Sequence, residues 1–511
     1  MGKPKGSATW HGVVFPKDDK GERTTTKLGK KVWAAAAAAI EDNQAAIDAI
    51  NKEKDWRHKY GTHVMDLAEK QMWSPEAAVK SAKAGLDCIH SEFEFIREGE
   101  CRKLSEVMAA PKKADSFATV TIKGEGLFPN TANLVELPAE GDLPAVTGEK
   151  AVERVKEWVA QGVVEPDVAT AFAEVVNKPD VMLRARTKVY VLLGATSEMC
   201  PLKALLALGC TVVAIQRPSP RVVKLIQAAK ASPGTLILPA KPGTDTTGMA
   251  DETLAQVAGA DVLTQTPEIR DWLAQLLPEK DLVIGSYIYL DGEAHVRAAV
   301  AMDAIAASVC EARPATGLAY LASPATCYPI PKEACEDAAA RHAAAPWWHG
   351  PTSLLFGGWA KATCPEVRGE AGVSHHMYNG LSVIQGPNYA LAKTLQNWRC
   401  VVAVSEGRQV SANMAPASKT DSVMHVKAVA RAMNGMETFE PLKPFEGATA
   451  SSTMAVLLVH DMGVPQSAEK ALRHRHPMQL FECGGVHGGL WRCPYTFDSL
   501  GTASYLFGLF K

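Results

Sequence analysis

The chain lacks most of the features that would settle its class at once. Its longest uniformly apolar stretches, such as Val32 to Ile40, fall far below the ~18 residues needed to cross a bilayer, so no transmembrane helix is expected. Neither sign of charge is in excess, with 54 Lys and Arg against 56 Asp and Glu. No overall field therefore draws the protein to nucleic acid or anionic lipid, and such a partner would need a local patch. No C-x-x-C pair occurs among the 11 cysteines, and Cys200, Cys210 and Cys310 sit in apolar runs where a reduced thiol behaves as a small hydrophobe. The amino terminus has no apolar signal core, and Gly6 stands where a myristoylation signal requires Ser or Thr. These absences point to a soluble, cytoplasmic protein.

What is present is a large apolar fraction. At 511 residues with 47% hydrophobic and 22% charged side chains, the chain is long enough for two or three structural units and too apolar to be mainly disordered. Residues 1–30 read as a flexible segment. Residues 31–180 read as mainly helical: Val64, Leu67 and Met72 fall at helical spacing, and Ser74-Pro75-Glu76 is an N-cap, first-position proline and first-turn acid. Within this stretch Ala118 to Ile122 alternates like a short strand, and residues 124–148 read as a loop dividing the units.

From Lys188 the pattern changes. Val189 to Leu193 is a buried strand ended by Gly194, a helix follows to Leu208, and Thr211 to Ile215 is a second strand. This is a βαβ unit. Further strands are expected at Leu236 to Leu238, Asp281 to Tyr289, Leu318 to Leu321 and Gln409 to Asn413, with helices over Glu293 to Cys310 and Asn388 to Val404. A helix-then-strand pattern up to His460 would complete the sheet. The fold class is therefore α/β: a Rossmann-like, doubly wound parallel sheet over residues 188–460. Residues 324–387, with Trp347, Trp348 and Trp359, form an insertion after the fifth strand that is more simply packed than used as a lid, and residues 461–511 a carboxyl-terminal extension.

Two places could carry chemistry. The turn Gly194-Ala195-Thr196-Ser197-Glu198-Met199 lies where a dinucleotide fold sets backbone N–H groups against pyrophosphate, although Thr196 and Met199 stand where G-x-G-x-x-G has glycine. Gly194, Thr196, Ser197, Glu198 and Met199 are the candidate cofactor contacts. The second strand ends in Ile215-Gln216-Arg217, with no acid for a ribose diol and an arginine for a 2′-phosphate, which favours NADP over NAD. Further on, Tyr389 and Lys393 lie four apart on a helix and share a face, where an ammonium beside a phenol would depress the tyrosine pKa. Tyr328 and Lys332 have the same spacing, but Pro329 and Pro331 forbid a regular helix there. His375-His376 and His474-x-His476 lack the companions of a zinc site, and Ser323 has no G-x-S-x-G around it, so metal and hydrolase readings are poor.

The order of these elements resembles the short-chain dehydrogenase/reductase family. There a Tyr-x-x-x-Lys helix follows the fifth strand and precedes a strand ending at a proline turn and a threonine. Here Tyr389-x-x-x-Lys393 precedes Val410 to Asn413, Pro416 and Thr420, and Ser323 closes the fifth strand. The resemblance covers about 230 residues. It implies Tyr389 as proton-transfer residue, Lys393 as its tuning partner and ribose contact, Ser323 as substrate-orienting hydroxyl, NADP as cofactor and a small-molecule carbonyl or alcohol as substrate. Two other readings fit the same sheet: a non-catalytic scaffold or assembly subunit, and an S-adenosylmethionine-dependent methyltransferase, for which Gln216 is not the expected ribose-binding acid. A homo-oligomer or larger assembly is left open.

Overall fold

Runs such as Val189-Tyr190-Val191-Leu192-Leu193 are buried at every position, which a strand achieves only with helices on both faces. A computed structural model of the protein describes residues 10–127, 135–348, 350, 351, 364–465 and 475–510. Its main sheet has seven strands: Ala118–Lys123 (β1), Val189–Leu193 (β2), Thr211–Ile215 (β3), Thr235–Ala240 (β4), Leu282–Ser286 (β5), Gly317–Ala322 (β6) and Val410–Met414 (β7). The spatial order is β7-β6-β5-β2-β3-β4-β1. The chain steps outward from β2 to β4, returns to lay β5 on the other side of β2, and steps outward again. The order therefore reverses between β2 and β5, whose register runs Leu282 to Val189 through Ser286 to Leu193. In open α/β sheets the crevice outside the carboxyl ends at such a reversal is where ligands bind.

The sheet is mixed, not wholly parallel as expected. Strand β1 pairs antiparallel with β4, from Ala118 opposite Ala240 to Lys123 opposite Thr235. Its alternation of buried Val120 with exposed Thr119, Thr121 and Lys123 suits an edge strand covered on one side. The expected strand near His460 is also absent. Gly447–Gly463 is one helix, because Ala450, Met454, Leu457, Leu458 and Met462 are buried at helical spacing.

Alternate strand residues feed two cores. Tyr190, Leu192, Val212 and Ala214 face the helices Glu149–Gln161, Pro166–Asn177, Arg221–Lys230 and Gly447–Gly463. Val191, Leu193, Val213 and Ile215 belong to the other core. That core also takes in Thr25–Ala38 (α1), Pro75–Glu92 (α2), Glu293–Ala312 (α3) and Pro387–Ser405 (α4). The loop expected to divide the chain thus runs on from an edge strand of the sheet, and the amino-terminal helices share the sheet's packing. Trp398 of α4 makes the join: its ring lies 5.3 Å from Trp33 of α1. On α2 it meets Gly85, where a Cβ would sit 2.1 Å from the indole.

Residues 324–387 contribute a three-stranded antiparallel sheet of Cys327–Ile330, Ser374–Asn379 and Glu366–Arg368, and the helix Lys332–Ala343. Trp347 is exposed, Trp348 stands 6.3 Å from Phe507, and Trp359 lies outside the described residues. The carboxyl-terminal segment returns to the sheet: Met414 N–H donates to Gly484 O at 3.2 Å. Buried Glu165 accepts from His487 Nε2 at 2.9 Å and Arg492 Nε at 2.8 Å, and these partners hold its carboxyl down at about 2 against the cost of burial.

One buried ion pair sets α3 against α4. Asp303 of α3 accepts from Arg399 of α4 at 2.7 and 2.8 Å, a two-pronged contact, and from His90 Nε2 of α2 at 2.7 Å. Arg399 and His90 keep the Asp303 carboxyl below its usual range despite burial. Asp303→Ala would leave the Arg399 guanidinium, whose side chain is only 16% exposed, without its carboxylate, and is expected to cost about 3–5 kcal/mol in urea denaturation. A cost below about 1 kcal/mol, the range of an exposed pair, would show that the pair does not set this packing.

Candidate functional site

Ser323 follows β6, where the backbone leaves the sheet. It is fixed by Tyr328, whose side chain is fully buried in the short strand after it: the Tyr328 hydroxyl donates to Ser323 O at 2.7 Å and receives Ser323 N–H at 2.9 Å. Pro329 and Pro331 hold this stretch extended, so Tyr328 does not pair with Lys332, which starts the next helix. Ser323 Oγ also receives Ala325 N–H at 3.2 Å. Its remaining contact is with Tyr389 in the first turn of α4, Oγ to hydroxyl 2.6 Å. The chain thus joins two side chains 66 residues apart that the spacing of motifs alone had paired.

Lys393 lies one turn further along α4. Its ammonium donates to Leu321 O of β6 at 3.2 Å and to Gln396 Oε1 at 3.0 Å. The expected depression of the tyrosine pKa does not occur. Burial pushes the Tyr389 phenol up to about 12, only partly opposed by the Ser323 hydrogen bond. Burial also pulls Lys393 down to about 8. Desolvation disfavours whichever form carries charge, so it moves an acid and a base in opposite directions. Near pH 7 Tyr389 is a neutral proton donor and Lys393 a cation close to losing its proton.

Three further buried polar groups, one beside Tyr389 and two at strand ends, were not singled out by sequence reasoning. His295, in the first turn of α3, is 2% exposed and stacks on Tyr389, ring centroids 5.6 Å apart and planes 8° apart. Its Nδ1 accepts Leu290 N–H at 3.2 Å, while its Nε2 has no partner among the described residues. Ser286, the last residue of β5, is buried with an unpartnered hydroxyl, and Gln216, just after β3, is buried with neither amide atom paired. Strands β3 and β5 are the two neighbours of β2, so these groups end at the reversal of strand order. A buried polar atom left unpaired costs about 1–3 kcal/mol. Unpaired buried atoms occur elsewhere in the fold too, so it is the position of Ser286 and Gln216 at the carboxyl ends of neighbouring strands that makes them candidate ligand contacts.

The glycine turn after β2 is built differently from expectation. Gly194 takes φ +96°, and a Cβ there would lie 2.6 Å from Ile288 Cγ1. Close packing against the segment after β5 therefore accounts for this glycine without a phosphate. Thr196 and Ser197 are partly exposed, and Met199 packs on the core. Glu198 is turned away to accept Asp421 N–H at 2.9 Å. Arg217, two residues beyond β3, is exposed.

His375 and His476 stand 5.7 Å apart, His474 lies outside the described residues, and among the described residues no group of three His, Cys, Asp or Glu could hold a metal. No helix among them is long and apolar enough to cross a membrane. Comparison with protein-family models, with curated proteins and with solved structures finds no match. The function therefore has to be argued from this site.

The lowered Lys393 pKa has a thermodynamic sign. Between about 8 and 10.5 the unfolded chain holds a proton that the folded one has lost, so stability rises with pH across that window and this contribution is flat below it. Melting temperatures measured from pH 7 to 10.5 are expected to include an upward component that Lys393→Met removes. Identical pH profiles for both proteins would show that this ammonium is not desolvated.

Proposed function

We propose that the protein is an NADP-dependent oxidoreductase of the carbonyl reductase type, resembling the short-chain dehydrogenases/reductases, with a Rossmann-like sheet as its scaffold. The observation that carries this reading is the 2.6 Å contact between Ser323 and Tyr389 at the carboxyl end of β6, one helical turn from the half-buried Lys393. The strand order supports it, since numbering the parallel strands from β2 gives 3-2-1-4-5-6, the dinucleotide-binding order. The unpaired Gln216 and Ser286 fit a polar cofactor on either side of β2, with Arg217 outside Gln216 for a 2′-phosphate. A bound nicotinamide would supply hydride to a carbonyl carbon.

The chain's own residues do the rest. The Ser323 and Tyr389 hydroxyls hold the carbonyl oxygen of a small-molecule substrate between them. As charge develops on that oxygen, the neutral Tyr389 phenol donates its proton, and the Lys393 ammonium stabilises the phenolate left behind. A phenol pushed up to about 12 stays protonated near neutral pH, so Tyr389 is present there in the donor form that carbonyl reduction requires. The reaction should slow as pH rises through about 8, where Lys393 becomes neutral.

A non-catalytic scaffold is the second reading. Ile288 fills the space in front of Gly194, and Glu198 is tied to Asp421, so the turn is closed where a dinucleotide's phosphates would approach.

Thermal shift with NADPH, NADH and S-adenosylmethionine separates these. NADPH at 100 times its Kd should stabilise the protein by about 2.7 kcal/mol, NADH should act only at higher concentration, and Arg217→Ala should abolish the difference. In a carbonyl screen followed by NADPH oxidation, Tyr389→Phe should bind cofactor normally and lose turnover. Stabilisation by S-adenosylmethionine alone would favour a methyltransferase. No response to any of the three would favour the scaffold.

A further inference from the structure

His295 is oddly made for a packing residue. Its ring lies flat on Tyr389, and Tyr289 closes the cluster with its centroid 5.1 Å from His295 and 6.2 Å from Tyr389. A phenylalanine would stack as well and would bury no polar atom. The imidazole brings two nitrogens, and the backbone uses one: Nδ1 accepts Leu290 N–H at 3.2 Å. That bond fixes the tautomer, because an accepting Nδ1 has no proton and the proton of a neutral ring must sit on Nε2. Burial and the nearby Lys393 charge pull the ring's pKa down to about 3, so it stays neutral at every pH at which the protein would work. Nε2–H is then a permanent, uncharged donor on a ring stacked against Tyr389, in a residue 2% exposed, with no acceptor among the described residues. Tyr289 is 49% exposed, so the cluster has an edge that reaches solvent.

We infer that His295 is a substrate-contacting residue: its Nε2–H donates to a second oxygen of the substrate, next to the carbonyl held by Ser323 and Tyr389. This rests on the reductase reading. It names the substrate class as carbonyl compounds that carry a second acceptor oxygen near the reacting carbon, such as dicarbonyls, in preference to simple alkyl ketones. The physical ground is that a site with a buried donor rejects a ligand that leaves it unpaired far more strongly than an apolar site rejects an extra methylene. An uncharged donor also takes a neutral oxygen without requiring a counter-charge.

The test uses the full chain with NADPH at pH 7, 2,4-pentanedione and 2-butanone as substrates, and the variants His295→Phe, His295→Gln and Tyr389→Phe. Dicarbonyls are intrinsically more reactive, so the readout is the change in preference between wild type and variant. His295→Phe keeps the flat ring and is expected to lower kcat/KM for 2,4-pentanedione about 10- to 100-fold, mainly through KM, while 2-butanone changes less than about twofold. His295→Gln, which restores a donor without the ring, should recover part of the loss. NADPH binding and melting temperature of both variants report whether they fold.

An equal loss on both substrates would assign His295 to placing Tyr389 and overturn the inference, as would unaltered preference in His295→Phe. Either result, with Tyr389→Phe inactive, leaves the reductase reading intact. Full turnover in Tyr389→Phe, or no NADPH oxidation by wild type on either substrate together with no NADPH binding, removes that reading and the inference with it.

Discussion

The Asp303–Arg399 ion pair is the constraint on which the candidate site depends. Asp303 lies on the same helix as His295, and Arg399 on the same helix as Tyr389 and Lys393. At 1.5 Å per residue the pair sits roughly 12 Å along α3 from His295 and about 15 Å along α4 from Tyr389. Two buried helices can slide or rotate against one another at small cost when only apolar side chains meet. A carboxylate gripped by both prongs of a guanidinium cannot shift without leaving two charges out of water and unpaired. The pair thus fixes the helical register that puts His295 flat on Tyr389. His90 brings α2 to the same carboxylate, so the amino-terminal helices are part of the site's support.

Burial then decides the chemistry. The same low-dielectric surroundings raise the Tyr389 phenol and lower Lys393 and His295, because in each case the charged form is penalised. The outcome is one proton donor, one weakly held cation and one neutral imidazole within a small volume. Opposed pKa shifts on neighbouring groups separate acid from base roles in enzyme sites generally. They arise here mainly from the packing of α3 and α4 on the sheet, with the Lys393 charge adding to the fall at His295.

How far this could be read in the sequence depends on the range of the forces involved. The strands and helices were legible because apolar periodicity is local: Val189 to Leu193 and Thr211 to Ile215 coincide with β2 and β3, and α3 and α4 differ from expectation by one or two residues at their ends. Ser323, Tyr389 and Lys393 could be singled out as candidates because their order along the chain resembles a known pattern, and the structure brings the first two into contact. His295, Ser286 and Gln216 could not be, since what distinguishes them is an unpaired atom created by long-range packing. The antiparallel β1 was visible as a strand, but its partner was not, because pairing with β4 joins residues more than a hundred apart. The tyrosine's pKa was read in the wrong direction because charge proximity is visible at i, i+4 spacing and desolvation is not.

The two ends of the crevice make opposite demands on the proposed cofactor. At the end proposed for the nicotinamide, the Ser323 and Tyr389 hydroxyls are in contact, with Lys393 one helical turn away. At the phosphate end the backbone of Gly194 is already covered by Ile288, and the following helix, Leu202–Ala207, is a short one, so its N-terminal dipole is weak. Affinity for a dinucleotide would then have to come from elsewhere along its length, from the Gln216 amide and the Arg217 guanidinium beyond β3. An interaction with a 2′-phosphate at an exposed arginine is screened by salt, whereas backbone N–H contacts to pyrophosphate are much less so. A protein that holds its cofactor this way should therefore discriminate NADPH from NADH most sharply at low ionic strength, and should lose that discrimination as salt is raised well before it loses its fold.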